Sequence, residues 1–150
     1  MIRLYIIDDH YLVIEGFYLS FDMESEDFKV VGGSLGIGDA LQKISPDGVD
    51  IIILDLFIQQ SNPVSNFRRI HEAFPSIPIV ILSHENCLLW KVEMFRLGAK
   101  AYINKAEDKS VMRQRLLRIA AGETLMPEDV VQILVSKNAS LAWAPTYPGL

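Results

Sequence analysis

Five short, largely apolar runs punctuate the chain: Ile2 to Ile7, Phe28 to Val31, Asp50 to Leu54, Ile77 to Leu82 and Ala101 to Ile103. Their brevity and their content of β-branched side chains predict strands. "DIIILDL", residues 50–56, is apolar on successive positions, so both of its faces should be buried, as in a parallel sheet covered by helices. The longer segments between the runs carry helical spacing. In the fifth of them Met112, Leu116, Ile119 and Ala120 form one apolar stripe, Arg113, Arg115 and Arg118 take other angles, and Gly122 is a natural stop. Strand and helix alternating in this way predict a doubly wound α/β domain ending near residue 122.

In such sheets ligands gather just past the carboxyl ends of the strands. Here the first strand runs into Asp8 and Asp9, the third ends at Asp55, the fourth at Ser83, and the fifth leads to Lys105. Each has a plain structural reading. Asp8 or Asp9 would serve as a helix cap, Asp55 and Ser83 as strand or turn ends, and Lys105 as solvated surface. Together they are harder to dismiss. Three carboxylates brought to one rim repel each other, and a hard divalent cation such as Mg²⁺, which prefers oxygen ligands, is the natural compensation.

Composition narrows the remaining classes. Of the 150 residues 50% are hydrophobic and 22% charged, the balance of one folded domain. No apolar run approaches the roughly 18 residues of a membrane span, and no signal peptide opens the chain, so a cytoplasmic location and no membrane contact are expected. The one cysteine, Cys87, reads as a free thiol. A net charge of -5 lacks the basic footprint of a nucleic-acid binder, so any DNA contact must fall to another segment.

The acidic pair after strand 1, the aspartate after strand 3, the serine after strand 4 and the lysine after strand 5 resemble the receiver domains of two-component response regulators. The match covers roughly residues 2–122. "GAKAYINK" and "LLRIAAGETLMPEDV" resemble the LuxR/NarL class in particular. The resemblance implies a flavodoxin-like fold, a five-stranded parallel sheet of order 2-1-3-4-5 with helices on both faces. It implies a signalling domain rather than an enzyme. Asp55 would accept a phosphoryl group from a sensor histidine kinase or a small phosphodonor. Asp8, Asp9, Asp55 and the backbone carbonyl of Phe57 would hold Mg²⁺, with Asp9 in direct contact and Asp8 acting through water. Lys105 and the Ser83 hydroxyl would engage the phosphoryl oxygens. Ser83 and Tyr102 would be the moving switch residues, while Phe57 and Glu85 would tune the lifetime of the phosphorylated state.

Three positions depart from that pattern. Gln59 stands where the family usually has proline, Pro63 where it usually has glycine, and His84 where a small residue is usual. The loop after strand 3 is therefore remodelled, and His84 is an exposed bystander, a tuning residue or an obstruction. These departures keep alive an alternative: a pseudo-receiver, a binding module switched without phosphorylation. Two decoys fail. "GGSLG", Gly32 to Gly36, mimics a hydrolase elbow without the downstream acid and histidine on a larger sheet, and reads as a flexible loop. His10, His71 and His84 are too scattered to suggest a zinc site.

If the first helix buries Val13, Phe17 and Ser20, then Ile14, Tyr18 and Phe21 turn outward, and Val111 and Leu117 do so on the fifth. Such a strip would suit a homodimer through helices 1 and 5, a mode known in this class. Trp90 is a further candidate for an exposed signalling contact. Beyond Gly122, Pro127 followed by Glu128 and Asp129 predicts a short C-terminal helix within 123–137. Residues 138–150, with Pro145, Pro148 and Gly149, read as a linker. The class usually continues into a helix-turn-helix DNA-binding domain, so the 150 residues are expected to be the receiver part of a longer regulator.

Overall fold

A computed structural model describes residues 1–136. Its strands are β1 (Ile2–Ile7), β2 (Phe28–Ser34), β3 (Ile51–Asp55), β4 (Ile79–Ser83) and β5 (Ala101–Asn104). They pair in parallel in the order β2-β1-β3-β4-β5, as the resemblance implied. The helices are α1 (Tyr11–Phe17), α2 (Ile37–Lys43), α3 (Pro63–Ala73), α4 (Leu88–Leu97), α5 (Lys109–Ala120) and α6 (Glu128–Val135). The expected linker at 138–150 lies outside the described residues.

Strand alternation sorts the apolar runs onto two faces. Tyr5, Ile7, Ile52, Leu54, Ile79, Ile81 and Tyr102 share one core with α2, α3, α4 and α6. Leu4, Ile6, Ile51, Ile53, Val80, Leu82, Ala101 and Ile103 share the other with α1 and α5. Val130 of α6 has no exposed surface in the first core, so the C-terminal helix is packed onto the domain.

Four sequence expectations change. The first helix buries Ile14, Phe17 and Phe21, and leaves Val13 and Ser20 only half-buried. Ile14, Phe17 and Phe21 stand at i, i+3 and i+7, one face of a helix, and the π-helical segment at Tyr18–Met23 continues that face, with the Phe21 ring against that of Phe17 at 5.2 Å. The outward apolar residues there are Tyr11, Leu12, Leu19 and Met23. On α5 Val111 is exposed as expected, but Leu117 packs partly against the core and Ala120 faces solvent.

Gly32 and Gly33 belong to β2 rather than to a flexible loop. A bulge at Val31 sets Tyr5 opposite Gly32. A Cβ on Gly32 would lie 2.6 Å from the Tyr5 ring, and one on Gly33 2.7 Å from Ile14. The glycines are there because side chains from β1 and α1 pass directly over this strand. Trp90 is likewise half-buried and packs edge-to-face on Phe57, with ring centroids 5.5 Å apart.

The altered loop after β3 has a clear geometry. Gln59 and Gln60 adopt φ of 49° and 57°, in the left-handed region. A proline at 59 is excluded there, because its ring fixes φ near -65°. Pro63 opens α3, and Asn62 caps it by accepting from the N–H groups of Val64 at 2.9 Å and Ser65 at 3.2 Å.

Candidate functional site

The strand register places the polar residues. Ile7 pairs with Leu54, and Asp55 with Leu82, so Asp8, Asp55 and Ser83 emerge at one edge of the sheet. Ser83 pairs with Asn104, and the Lys105 N–H donates to the Ser83 carbonyl at 2.8 Å. Asp8 has no exposed surface, Asp55 is 5% exposed and Ser83 1%. Burying that much ionisable chemistry is costly unless the charges are paired.

Lys105 provides the pairing. Its Nζ lies 2.8 Å from Asp8 Oδ2 and 3.0 Å from Asp55 Oδ1. Asp8 Oδ2 has the Lys105 ion pair and no further partner among the described residues. One ammonium against three carboxylates leaves the cluster short of positive charge. Burial, reinforced by the charge of Asp8, pushes the Asp55 carboxyl up to about 6 against the opposing pull of Lys105. Burial alone would lower the Lys105 ammonium, but its contacts with Asp8 and Asp55 outweigh that and raise it.

Asp9 completes the acidic set. Its Oδ2 accepts from the Gln59 N–H at 2.9 Å, so the remodelled loop reaches the site directly. Neither Asp8 nor Asp9 caps α1. His10 is the N-cap residue, and its backbone N–H donates to Asp8 Oδ1 at 2.8 Å. Asp8, Asp9, His10 and Asp55 each present a ligating atom within 4.8 Å of the others. Oxygen-rich, anionic and with the buried Asp9 Oδ1 left without a hydrogen bond, the donor set fits a divalent cation.

Around this centre, the Ser83 Oγ accepts from the Glu85 N–H at 3.0 Å, and the Tyr102 hydroxyl donates to the Glu85 carbonyl at 3.2 Å. Tyr102 is buried, whereas His84, Glu85 and Phe57 are exposed. The chain's three histidines do not converge, but His10 alone joins the acids. The signal for it was adjacency to the acidic pair, which a search for spaced histidines passes over.

Residues 4–117 match the family model described as the response regulator receiver domain, and the chain belongs to that family. It is 25% identical over 140 residues to the transcriptional regulatory protein DegU of Brevibacillus brevis, covering 93% of this chain and 59% of that protein. It is 28% identical over 137 residues to the oxygen regulatory protein NreC of Staphylococcus haemolyticus, covering 90% and 62%. The chain thus spans about three-fifths of the length of the curated relatives it matches. A LuxR-family two-component response regulator from Aurantimonas sp. SI85-9A1 superposes with a TM-score of 0.74 at 25% identity, over 87% of this chain and 92% of that one. The isolated receiver domain of RcsB from Salmonella enterica serovar Typhimurium, in its apo form, shares the fold with a TM-score of 0.75 at 22% identity, over 91% and 100%. This is a receiver domain of the LuxR/NarL type, a signalling domain with the acidic pocket of its family. Among the described residues no helix is long and apolar enough to cross a membrane.

Proposed function

We propose that Asp55 accepts a phosphoryl group from a sensor histidine kinase or a small phosphodonor, and that the modified domain switches an output, transcription in the first instance. One observation carries the reading: a buried Asp55 beside Asp8, Asp9 and Lys105, at the end of the central strand β3. An Asp55 carboxylate oxygen attacks phosphorus, the bond to the donor's leaving group breaks, and an acyl phosphate forms. Asp8, Asp9, Asp55 and the Phe57 carbonyl would hold Mg²⁺, which when bound offsets charge on the phosphoryl oxygens. Lys105 is positioned to exchange a carboxylate partner for a phosphoryl oxygen, and the Ser83 hydroxyl to donate to another. Phosphorylation adds about 1.5 to 2 negative charges, enough to bias a two-state equilibrium at Ser83 and Tyr102. Phe57, His84 and Glu85, exposed beside the site, would set the lifetime of the phosphoryl group.

The names of the curated relatives support transcriptional output, and their greater length supports a DNA-binding segment beyond residue 150. A homodimer through α1 and α5 belongs to the same reading, with Leu12, Leu19 and Val111 as its exposed apolar residues. The test is incubation with Mg²⁺ and acetyl phosphate or beryllofluoride, comparing wild type with Asp55→Asn by intact mass and oligomeric state. The expected result is a phosphoryl adduct on the wild type alone. No adduct and no change of state would favour the pseudo-receiver, whose best support is the left-handed loop at Gln59 and Gln60.

A further inference from the structure

His10 is the one member of the acidic cluster that the phosphoacceptor reading leaves without work. Its ring Nδ1 lies 3.1 Å from Asp9 Oδ1 and 3.3 Å from Asp8 Oδ1. Neighbouring ligands of an octahedral cation with bonds of about 2.1 Å sit about 3 Å apart, so these separations are the edges of a coordination shell. The backbone sets the ring's position, because the His10 N–H donates to Asp8 Oδ1 and the residue starts α1. Its side chain makes no capping hydrogen bond to the helix; the ring is held against the carboxylates instead, with Nδ1 in hydrogen-bonding range of Asp8 Oδ1. On the acidic side, the Gln59 N–H engages Asp9 Oδ2 and leaves Asp9 Oδ1, buried and without a hydrogen bond, next to the imidazole. Asp8, with no exposed surface, keeps Oδ1 beside the ring and Oδ2 against Lys105. The imidazole is 66% exposed, so a ring bound through Nδ1 can keep its proton on Nε2 facing water.

We infer that His10 is a nitrogen ligand of the metal site and biases it toward first-row transition cations over Mg²⁺. The chemistry is that of donor softness. Carboxylate and carbonyl oxygens suit Mg²⁺, whereas imidazole nitrogen favours cations further along the first transition row. A site of three carboxylates and one imidazole therefore binds Co²⁺ more tightly than an all-oxygen site does, and gains little for Mg²⁺. The inference rests on the proposed metal pocket, and says which cation that pocket selects.

The test uses the tag-free 150-residue chain, with Mg²⁺ and Co²⁺ titrated separately by calorimetry into wild type and His10→Ala. The ratio of Co²⁺ to Mg²⁺ affinity should fall about tenfold in the variant, the scale on which a supporting metal-site residue acts. Wild type loaded with Co²⁺ should also show a paramagnetically shifted, exchangeable imidazole N–H resonance that His10→Ala lacks. His71→Ala, altered away from the cluster, should keep both the ratio and the resonance. An unchanged ratio, an equal loss of both cations, or no Co²⁺ binding at the cluster would each overturn the assignment. Its fate separates from that of the phosphoacceptor reading. A wild type that selects Co²⁺ through His10 but forms no adduct with acetyl phosphate in Mg²⁺ refutes only the latter. An adduct together with a His10-independent ratio refutes only the former.

Discussion

The Lys105 ammonium lies 2.8 Å from Asp8 Oδ2 and 3.0 Å from Asp55 Oδ1, bridging two buried carboxylates that would otherwise face each other. Lys105→Met removes the bridge and leaves both acids uncompensated. Breaking a buried pair in this way costs about 3 kcal/mol. Urea denaturation in EDTA should report a loss of that order, and millimolar Mg²⁺ should restore part of it. A loss under 1 kcal/mol with no Mg²⁺ effect would mean that the carboxylates are already solvated.

Asp55 links stability to pH. Its folded pKa of about 6 is raised above the ordinary 3.8, so between those values the folded chain holds a proton that the unfolded chain has lost. The associated stability is complete below about pH 4 and disappears as pH rises through about 6, a change of about 2 to 3 kcal/mol. Metal-free protein should therefore lose stability over that interval, and Asp55→Asn should flatten the profile there. Parallel profiles for the two proteins would contradict the shift.

Strand β2 offers a packing test. Gly33→Ala would put a methyl group 2.7 Å from Ile14 Cγ2, with the Ile6 carbonyl at 3.3 Å. Overpacking of this kind costs about 1 to 3 kcal/mol, measurable as a lower urea midpoint. Gly38→Ala meets nothing within 4 Å and should show no such steric loss.

The orientation of α1 is testable by a pair of truncations. Ile14 is 6% exposed and Leu12 82%. Ile14→Ala should cost about 2 to 5 kcal/mol, and Leu12→Ala less than about 0.5 kcal/mol. Thermal and urea melts of both variants decide it. The reverse order would overturn this orientation of α1.

That reversal illustrates what the sequence could convey. The five strands and most of the site were legible because both are written in local pattern. Strands buried on two faces read as unbroken apolar runs, and their polar ends mark the rim where Asp8, Asp9, Asp55, Ser83 and Lys105 meet. The face of α1 was not legible, because Val13, Phe17 and Ser20 fit a helical period as well as Ile14, Phe17 and Phe21 do, and only packing against Gly33 and Phe28 decides between them. Nor could the glycines of β2 be explained from β2 itself, since the ring and the methyl group that demand them belong to Tyr5 and Ile14. The role of Gln59 is another tertiary fact: its backbone N–H, rather than its side chain, is what reaches Asp9.

The contact between Phe57 and Trp90 equips the domain with an optical gauge. The two rings meet edge-on at 89°, and Phe57 stands only two residues beyond Asp55. Indole emission depends on what its ring touches, so any displacement of the β3–α3 loop would change the colour or yield of light from α4. With Trp143→Phe removing the chain's second indole, cation loading and acyl-phosphate formation could be timed on the protein's own fluorescence, without a label.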